Sequence, residues 1–341
     1  VGIDLKQLSA RLGLSQTTVS RALNGYTDVS EKTRQRVVQV AAELGYQPNL
    51  GARRLATGRT EAVGIVYPME MDYLGNPNFL EMLGGVSDRL ETAGYELLIA
   101  AARQHTELRT YERLVRGRRV DGLIVANTRV VDVRIDYLRQ AGLPFVAYGR
   151  TGQPHGYAWL DDDNEASSRL TVQRLAALGH RRIGLIHAPT EYNFAQQRYS
   201  SFLQAMAQAG LPVPAAHLMV GSMDRRGGYL AMQQMLALAE RPTAIMVDNN
   251  TGGVGVMRAL LDSGLQPGRD ISVVVDGGLP EDTLLTGPSV ATIEHPSFRE
   301  AGQTMADMLM ALIDGGSPEG AQVLRPVTLR EGASIGPAPL A

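Results

Sequence analysis

A chain of 341 residues with 44% hydrophobic side chains is long enough for two or three domains, each with its own core. It contains no cysteine, which excludes disulfides, thiolate nucleophiles and cysteine-ligated zinc or iron–sulfur sites. The net charge of −2 conceals an asymmetry, because residues 1–60 carry nine basic and four acidic side chains, or +5, leaving −7 on the remainder. A basic end on an acidic body suggests a small nucleic-acid-binding module joined to something that is not one. The longest nearly unbroken apolar run, around 97–102, falls far short of the roughly 20 residues a membrane-spanning helix needs. With no basic-then-apolar leader at the start, a cytoplasmic location and no membrane partner are expected.

Residues 1–47 show no strand pattern. Leu5, Leu8 and Leu12 keep helical spacing up to Gly13, and Ser15 is a good N-cap for a second helix ending near Leu23, before Asn24-Gly25. A third helix opens at Ser30, buries Val37, Val38, Ala41, Ala42 and Leu44, and ends at Gly45. Residues 48–60, PNLGARRLATGRT, have the composition of a linker, with a marginal short helix over 49–56. From residue 61 onward, short β-rich runs (AVGIVYP, YELLIAA, VDGLIVA, PFVAYG, RRIGLIHA, TAIMVDN, ISVVVDG) alternate with helical stretches. Those stretches cover 79–93, 107–116, 165–178, 196–209, 227–238 and 254–263. Such alternation predicts parallel sheets with helices on both faces, and so long a body favours two α/β lobes.

The first two helices have the requirements of a helix-turn-helix: a turn at Gly13, a small residue at the crossing (Ser9) and an inward apolar residue (Val19). The outer face of SQTTVSRALNG then offers Gln16, Thr17, Thr18, Ser20 and Arg21, side chains suited to base edges and phosphates. The competing reading is an ordinary helical hairpin with Arg21 on a solvated face. Catalytic signatures are lacking: no Gly-Lys-Ser/Thr phosphate loop and no Gly-x-Ser-x-Gly, and the six histidines are scattered. TGGVGVM lacks a third glycine in register and reads as a tight strand-to-helix turn. No enzyme activity and no cofactor are expected.

The stretch LKQLSARLGLSQTTVSRALNGYTDVSEKTRQRVVQVAAELGYQPNLGARRL, with TVSRALNG, VSEKTRQRV and LGYQPN in that order, resembles the N-terminal headpiece of the LacI/GalR family of bacterial transcriptional regulators. The likeness continues more weakly through LGHRRIGLI, PTAIMVDNN and ISVVVDG; Ser9 stands where the family usually has alanine. The resemblance implies a small all-α helix-turn-helix headpiece (1–47), a hinge linker (48–60) and a two-lobed α/β body resembling a periplasmic binding protein. The lobes would comprise 61–162 with 294–324, and 163–293 with 325–341. It implies Gln16, Thr17 and Arg21 as base readers in the major groove, with Ser15, Thr18, Ser20, Asn24, Ser30 and Thr33 on phosphates. Asn49, Ala52, Arg53 and Leu55 would enter the minor groove, Leu55 as an apolar wedge, although a leucine packed on the body is the plainer alternative.

In the same resemblance the body is the sensor. Its implied effector-binding residues are Tyr192, Phe194 and Arg198 in APTEYNFAQQRYSSF, Asn249, Arg150, Tyr73, Phe79, Trp159, Asp161 and Asp276. Arg198 on a helix surface is the competing reading. Asp161 to Asp163 suggest carboxylates on a sugar hydroxyl and in the fold; no metal is expected. Many sugar-responsive relatives carry an aspartate where Gly277 stands, and Asp276 is the neighbouring candidate. Trp159, Tyr192, Phe194 and Arg150 point to the α-glucoside class. The expected protein is a homodimeric repressor of double-stranded operator DNA controlled by a small carbohydrate. The tail after Ala321 holds no leucine heptad, so no coiled-coil tetramerisation is expected. Alternatives are a nucleobase or phosphoprotein effector, a transport-type sugar-binding protein, and an enzyme on a doubly wound fold.

Overall fold

The computed structural model describes residues 3–23, 26–46, 58–68, 76–103, 106–279 and 289–339. The chain divides into two compact units, 1–60 and 61–341. The first holds helices α1 (Leu5–Leu12), α2 (Gln16–Leu23) and α3 (Glu31–Glu43). Each starts where a side chain takes up an N–H that the helix itself leaves unpaired. Asp4 and Gln7 form a capping box on α1, Ser15 accepts from Thr18 N, and Ser30 accepts from Thr33 N. Leu8, Leu12, Val19, Ala22, Val29, Val37 and Ala41 make a small core. Ser9 is buried at the crossing because its hydroxyl donates to Leu5 O, so a polar residue does the work of an alanine there.

The body contains two six-stranded sheets. The first takes β1 (Ala62–Pro68), β2 (Glu96–Ala102), β3 (Gly122–Val125), β4 (Phe145–Tyr148), β5 (Ala158–Asp162) and β11 (Gln322–Arg325), in the spatial order β2-β1-β3-β4-β5-β11, all parallel. Helices α4 (Pro77–Thr92), α5 (Glu107–Arg116), α6 (Val133–Ala141) and α11 (Phe298–Ile313) cover it. Met82 and Val86 of α4 join Met305 and Leu309 of α11 over one face, and Tyr111, Leu114 and Leu138 cover the other. The second sheet takes β6 (Ile183–His187), β7 (Leu218–Val220), β8 (Ala244–Val247), β9 (Ser272–Asp276), β10 (Ala291–Glu294) and β12 (Thr328–Arg330), in the order β7-β6-β8-β9-β10-β12. Only β12 runs antiparallel. Its helices are α7 (Asn164–Ala177), α8 (Asn193–Gln208), α9 (Arg225–Leu236) and α10 (Asn250–Asp262). The chain passes between the sheets three times, from β5 to α7, from β10 to α11 and from β11 to β12.

This is the two-lobed α/β architecture expected, with differences in detail. Helices α8, α9 and α10 begin two to four residues earlier than their apolar pattern suggests, since Asp224 and Asn249 cap α9 and α10. TGGVGVM lies within α10, where Gly252 and Gly255 let that helix approach α9; a Cβ on Gly255 would meet Arg225 O at 1.9 Å. Strand β5, AWLDD, escapes the apolar pattern because its last two residues are aspartates. Strands β10, β11 and β12 and helices α6 and α11 also lack the signals used above.

Candidate functional site

On the headpiece, Ser15, Gln16, Thr17 and Arg21 are exposed on α2, with Thr18 and Ser20 half-buried, while Val19 faces the core. Ser15 and Ser30, the caps of α2 and α3, border one concave surface together with Thr17, Thr18, Arg21, Asp28 and Thr33. Hydroxyl pairs Ser15–Thr18 and Ser30–Thr33 stand 2.8 Å apart at its edges. Two helix N-termini with hydroxyls beside a guanidinium form a surface suited to phosphate oxygens. Arg21 Nη1 donates to Asp28 Oδ2 at 2.5 Å. Of the other residues implied above, Asn24, Asn49, Ala52, Arg53, Leu55 and Tyr73 lie outside the described residues.

The body has a cleft between its lobes. Its place follows from topology. Each sheet reverses its strand order once, between β1 and β3 in the first and between β6 and β8 in the second, and ligands of doubly wound sheets sit beyond the carboxyl ends of strands at such points. Tyr67 is the penultimate residue of β1, Asn127 and Thr128 follow β3, Asp161 and Asp162 end β5, Asp248 to Asn250 follow β8, and Asp276 ends β9 with Gly277 after it; all line the cleft. Phe79 stacks on Tyr67 with ring centroids 3.6 Å apart, and Phe194 and Phe298 add further apolar wall. Across the lobes, Asn250 Nδ2 donates to Asn76 Oδ1 at 3.2 Å, Asn193 N to Thr128 O at 2.9 Å and Val130 N to Glu191 O at 3.0 Å.

The floor is ionic and internally paired. Arg198, 7% exposed, donates through Nε to Asn164 Oδ1 (2.9 Å) and through Nη1 to Asp248 O, with Asp276 Oδ1 at 3.0 Å. Its Nη2 has no partner among the described residues. His295 is held on both ring nitrogens, Nδ1 by Asp162 (2.9 Å) and Nε2 by Asp276 (2.8 Å), and Arg325 Nε donates to Asp162 from behind (2.8 Å). Burial works against charge on His295, but the flanking Asp276 and Asp162 carboxylates dominate and push it up to about 9. Burial raises Asp276 as well, yet Arg198, His295 and the Ser167 hydroxyl hold it below the usual carboxylate range. Asp161 goes the other way, up to about 6, because burial outweighs its contact with Arg150. Asp248, fully buried, is also raised by burial, against Arg198 and the hydrogen bonds of Ser222 and Ala188 N.

The expected effector residues therefore separate. Phe79, Asp161, Phe194, Arg198, Asn249 and Asp276 line the cleft. Trp159, Tyr192 and Arg150 do not, which corrects the sequence reading. Trp159 alternates inward on β5 into the core with Leu138 and Phe145, its Nε1 donating to Pro154 O. Tyr192 is the buried N-cap residue of α8, packed beside Phe194. Arg150 supports the cleft from outside, its Nε on Asp161 and its Nη2 on Glu165 of α7. Asp276 does face the cleft, but its oxygens are engaged by Arg198, His295 and Ser167. Gly277, at φ +73°, leaves its position without a side chain and faces Asn78, whose Nδ2 would lie 3.2 Å from an added Cβ. Sequence reasoning missed Asn76, Asn78, Asn127, Asn164, Asp248, Asn250 and His295. Asn127 and Asp248 had a usable signal, being the first polar residues beyond the apolar runs LIVA and AIMV. Among the described residues no three His, Asp or Glu side chains gather as a metal site, and no helix is long and apolar enough to cross a membrane.

Comparison with known proteins adds a second line. Residues 60–331 match the family model described as periplasmic binding proteins and sugar binding domain of LacI family, and residues 5–49 match bacterial regulatory proteins, lacI family. The HTH-type transcriptional regulator RafR of Escherichia coli is 39% identical over 322 residues, 94% of this chain and 95% of its own. The structure of the lac repressor dimer bound to operator and the anti-inducer ONPF superposes with a TM-score of 0.84 at 27% identity, covering 98% of this chain and 100% of that one. A complex of the transcriptional regulator CelR with cellobiose gives a TM-score of 0.73 at 26% identity, covering 97% and 99%.

Proposed function

Because this chain belongs to the LacI family of bacterial transcriptional regulators, we propose that it is a cytoplasmic repressor of operator DNA whose affinity is set by a neutral saccharide held between its lobes. The headpiece would read bases through Gln16, Thr17 and Arg21 and hold phosphates at the two capped helix starts. Two copies would read the halves of a near-palindrome, since two-fold protein symmetry demands it. Effector and operator are linked through their preference for one lobe arrangement, whichever sign the response takes.

One observation carries the choice of effector: the charged side chains that line the cleft already have partners within the fold. Asp162 and Asp276 share His295 and meet Arg325 and Arg198, and Asp161 meets Arg150. The two cations among the described lining residues, Arg198 and His295, are already engaged by carboxylates, so a phosphate or carboxylate would have to compete with Asp276 and Asp162 for them. What faces a ligand is the Tyr67–Phe79 stack, Phe194 and the carboxamides of Asn76, Asn78, Asn127 and Asn249. Aromatic faces with neutral donors and acceptors suit a sugar ring and its hydroxyls, and the family resemblance makes α-glucosides the first saccharides to test.

A thermal-shift screen tests it, with neutral α-glucosides, the corresponding sugar phosphates and purine nucleobases. A ligand at 100 times its dissociation constant stabilises by about 2.7 kcal/mol, well within detection. At least one neutral α-glucoside should raise the melting temperature and the charged counterparts should not. Stabilisation by a sugar phosphate or a nucleobase, with none by neutral saccharides, would overturn the assignment.

A further inference from the structure

Among the described residues, Asp28 is the only acidic residue bordering the concave surface formed by Ser15, Thr17, Thr18, Arg21, Ser30 and Thr33, where a nucleic acid would lie. A carboxylate there repels phosphate, and as a half-exposed partner of Arg21 it adds at most about 1 kcal/mol of stability. Stability therefore does not account for its position. Its geometry does. Asp28 Oδ2 takes a hydrogen bond from Arg21 Nη1 at 2.5 Å, while the Arg21 guanidinium carbon stands 5.9 Å from the centre of the Tyr26 ring.

The turn that bears Asp28 and Tyr26 is itself anchored. Tyr26 N donates to Arg21 O at 3.1 Å, Arg34 Nη2 donates to Tyr26 O at 3.0 Å, and Val29 is buried in the core. A flexible side chain with about 2 kcal/mol of rotamer entropy is thus tethered at one nitrogen by a fixed turn, leaving its other donors outward.

We propose that Asp28, with Tyr26 beside it, is a specificity-determining positioning residue: it orients Arg21 so that its remaining N–H groups meet a base edge rather than wandering onto phosphates. This rests on the reading of Arg21 as a base reader. The carboxylate weakens binding to DNA in general and sharpens binding to the cognate sequence, because an arginine held in one plane loses less freedom when it forms a bidentate contact.

The test uses the full-length protein and two duplexes, an operator recovered by in vitro selection and a scrambled duplex of equal length and composition. Asp28→Asn keeps the side-chain shape and removes the charge. It should tighten binding to the scrambled duplex and leave operator binding equal or weaker, so that the ratio of the two affinities falls about three- to fivefold. In an Arg21→Ala background the same substitution should leave the ratio unchanged. If Asp28→Asn strengthens both duplexes by the same factor while Arg21→Ala lowers the ratio, Asp28 is only a repulsive charge and the positioning role is wrong. If Arg21→Ala itself weakens both duplexes equally, the base-reading premise has failed instead. Unchanged far-ultraviolet circular dichroism of the variants excludes misfolding as the cause, as expected for two side chains about half exposed.

Discussion

In the headpiece, Arg21 meets Asp28 at 2.5 Å with the two side chains 51% and 50% exposed. In the body, Arg198 meets Asp276 at 3.0 Å with exposures of 8% and 3%. Pair chemistry is the same and the surroundings are opposite. Water screens the first, so the arginine is free to exchange part of its partnership for a nucleic acid at little cost. The second has lost its hydration, and breaking it would leave a bare charge in the interior. A ligand entering the cleft would therefore meet the atoms the network leaves over and not the ion pair itself. One arginine is placed to offer its remaining donors and the other to hold a shape.

The contrast yields its largest effect when the buried pair is cut. Asp276→Ala leaves both Arg198 and His295 without their carboxylate, and unfolding of the body in urea should show a loss of about 3–5 kcal/mol. A loss below about 1 kcal/mol would place this pair with surface pairs and erase the distinction.

Next in size is the response to pH. His295, facing Asp162, Asp276 and Phe298 with Arg325 and Arg198 behind the carboxylates, is raised from 6.5 to about 9 in the fold. A raised folded value stabilises fully below pH 6.5 and loses that contribution as pH climbs through about 9. The decline should approach about 3 kcal/mol across that window. Asp276, lowered in the fold, acts at the other end, contributing above its ordinary range and losing that contribution only in acid. His295→Gln should flatten the alkaline slope; a slope that survives the substitution assigns it to another group.

On the exposed side the effects are smaller and appear in recognition rather than stability. Arg21→Ala should cost about 1–3 kcal/mol of discrimination between operator and random DNA. Its urea midpoint should stay within about 1 kcal/mol of the parent. A large stability loss would mean that Arg21 holds the headpiece together, and the two arginines would no longer differ in kind.

Much of this was readable in the sequence because the relevant signals are local. Caps at Ser15 and Ser30, the stop at Gly13 and the apolar strand runs each act within a few residues, so the headpiece helices and the α/β alternation follow directly. The cleft was half-legible. Arg198 and Asp276 were found through a family pattern, whereas their partners Asn164, Asp248 and His295 come from three other segments that only the folding of the second sheet and its helices brings together. Trp159 shows the limit from the other side: an aromatic beside three aspartates looks like a sugar platform, but its ring packs in the core two residues back along β5 while Asp161 and Asp162, at the strand end, reach the cleft. Arg198→Ala would not act as a pure effector knockout, since this buried arginine compensates carboxylates and its removal would unsettle the body.

The most direct test of the central claim is operator affinity measured on the full-length protein with and without a saccharide that raises its melting temperature. The account predicts a change of at least about fivefold in operator dissociation constant at saturation, as linked sites require. A saccharide that occupies the cleft and stabilises the body, yet leaves operator affinity unchanged, would contradict it.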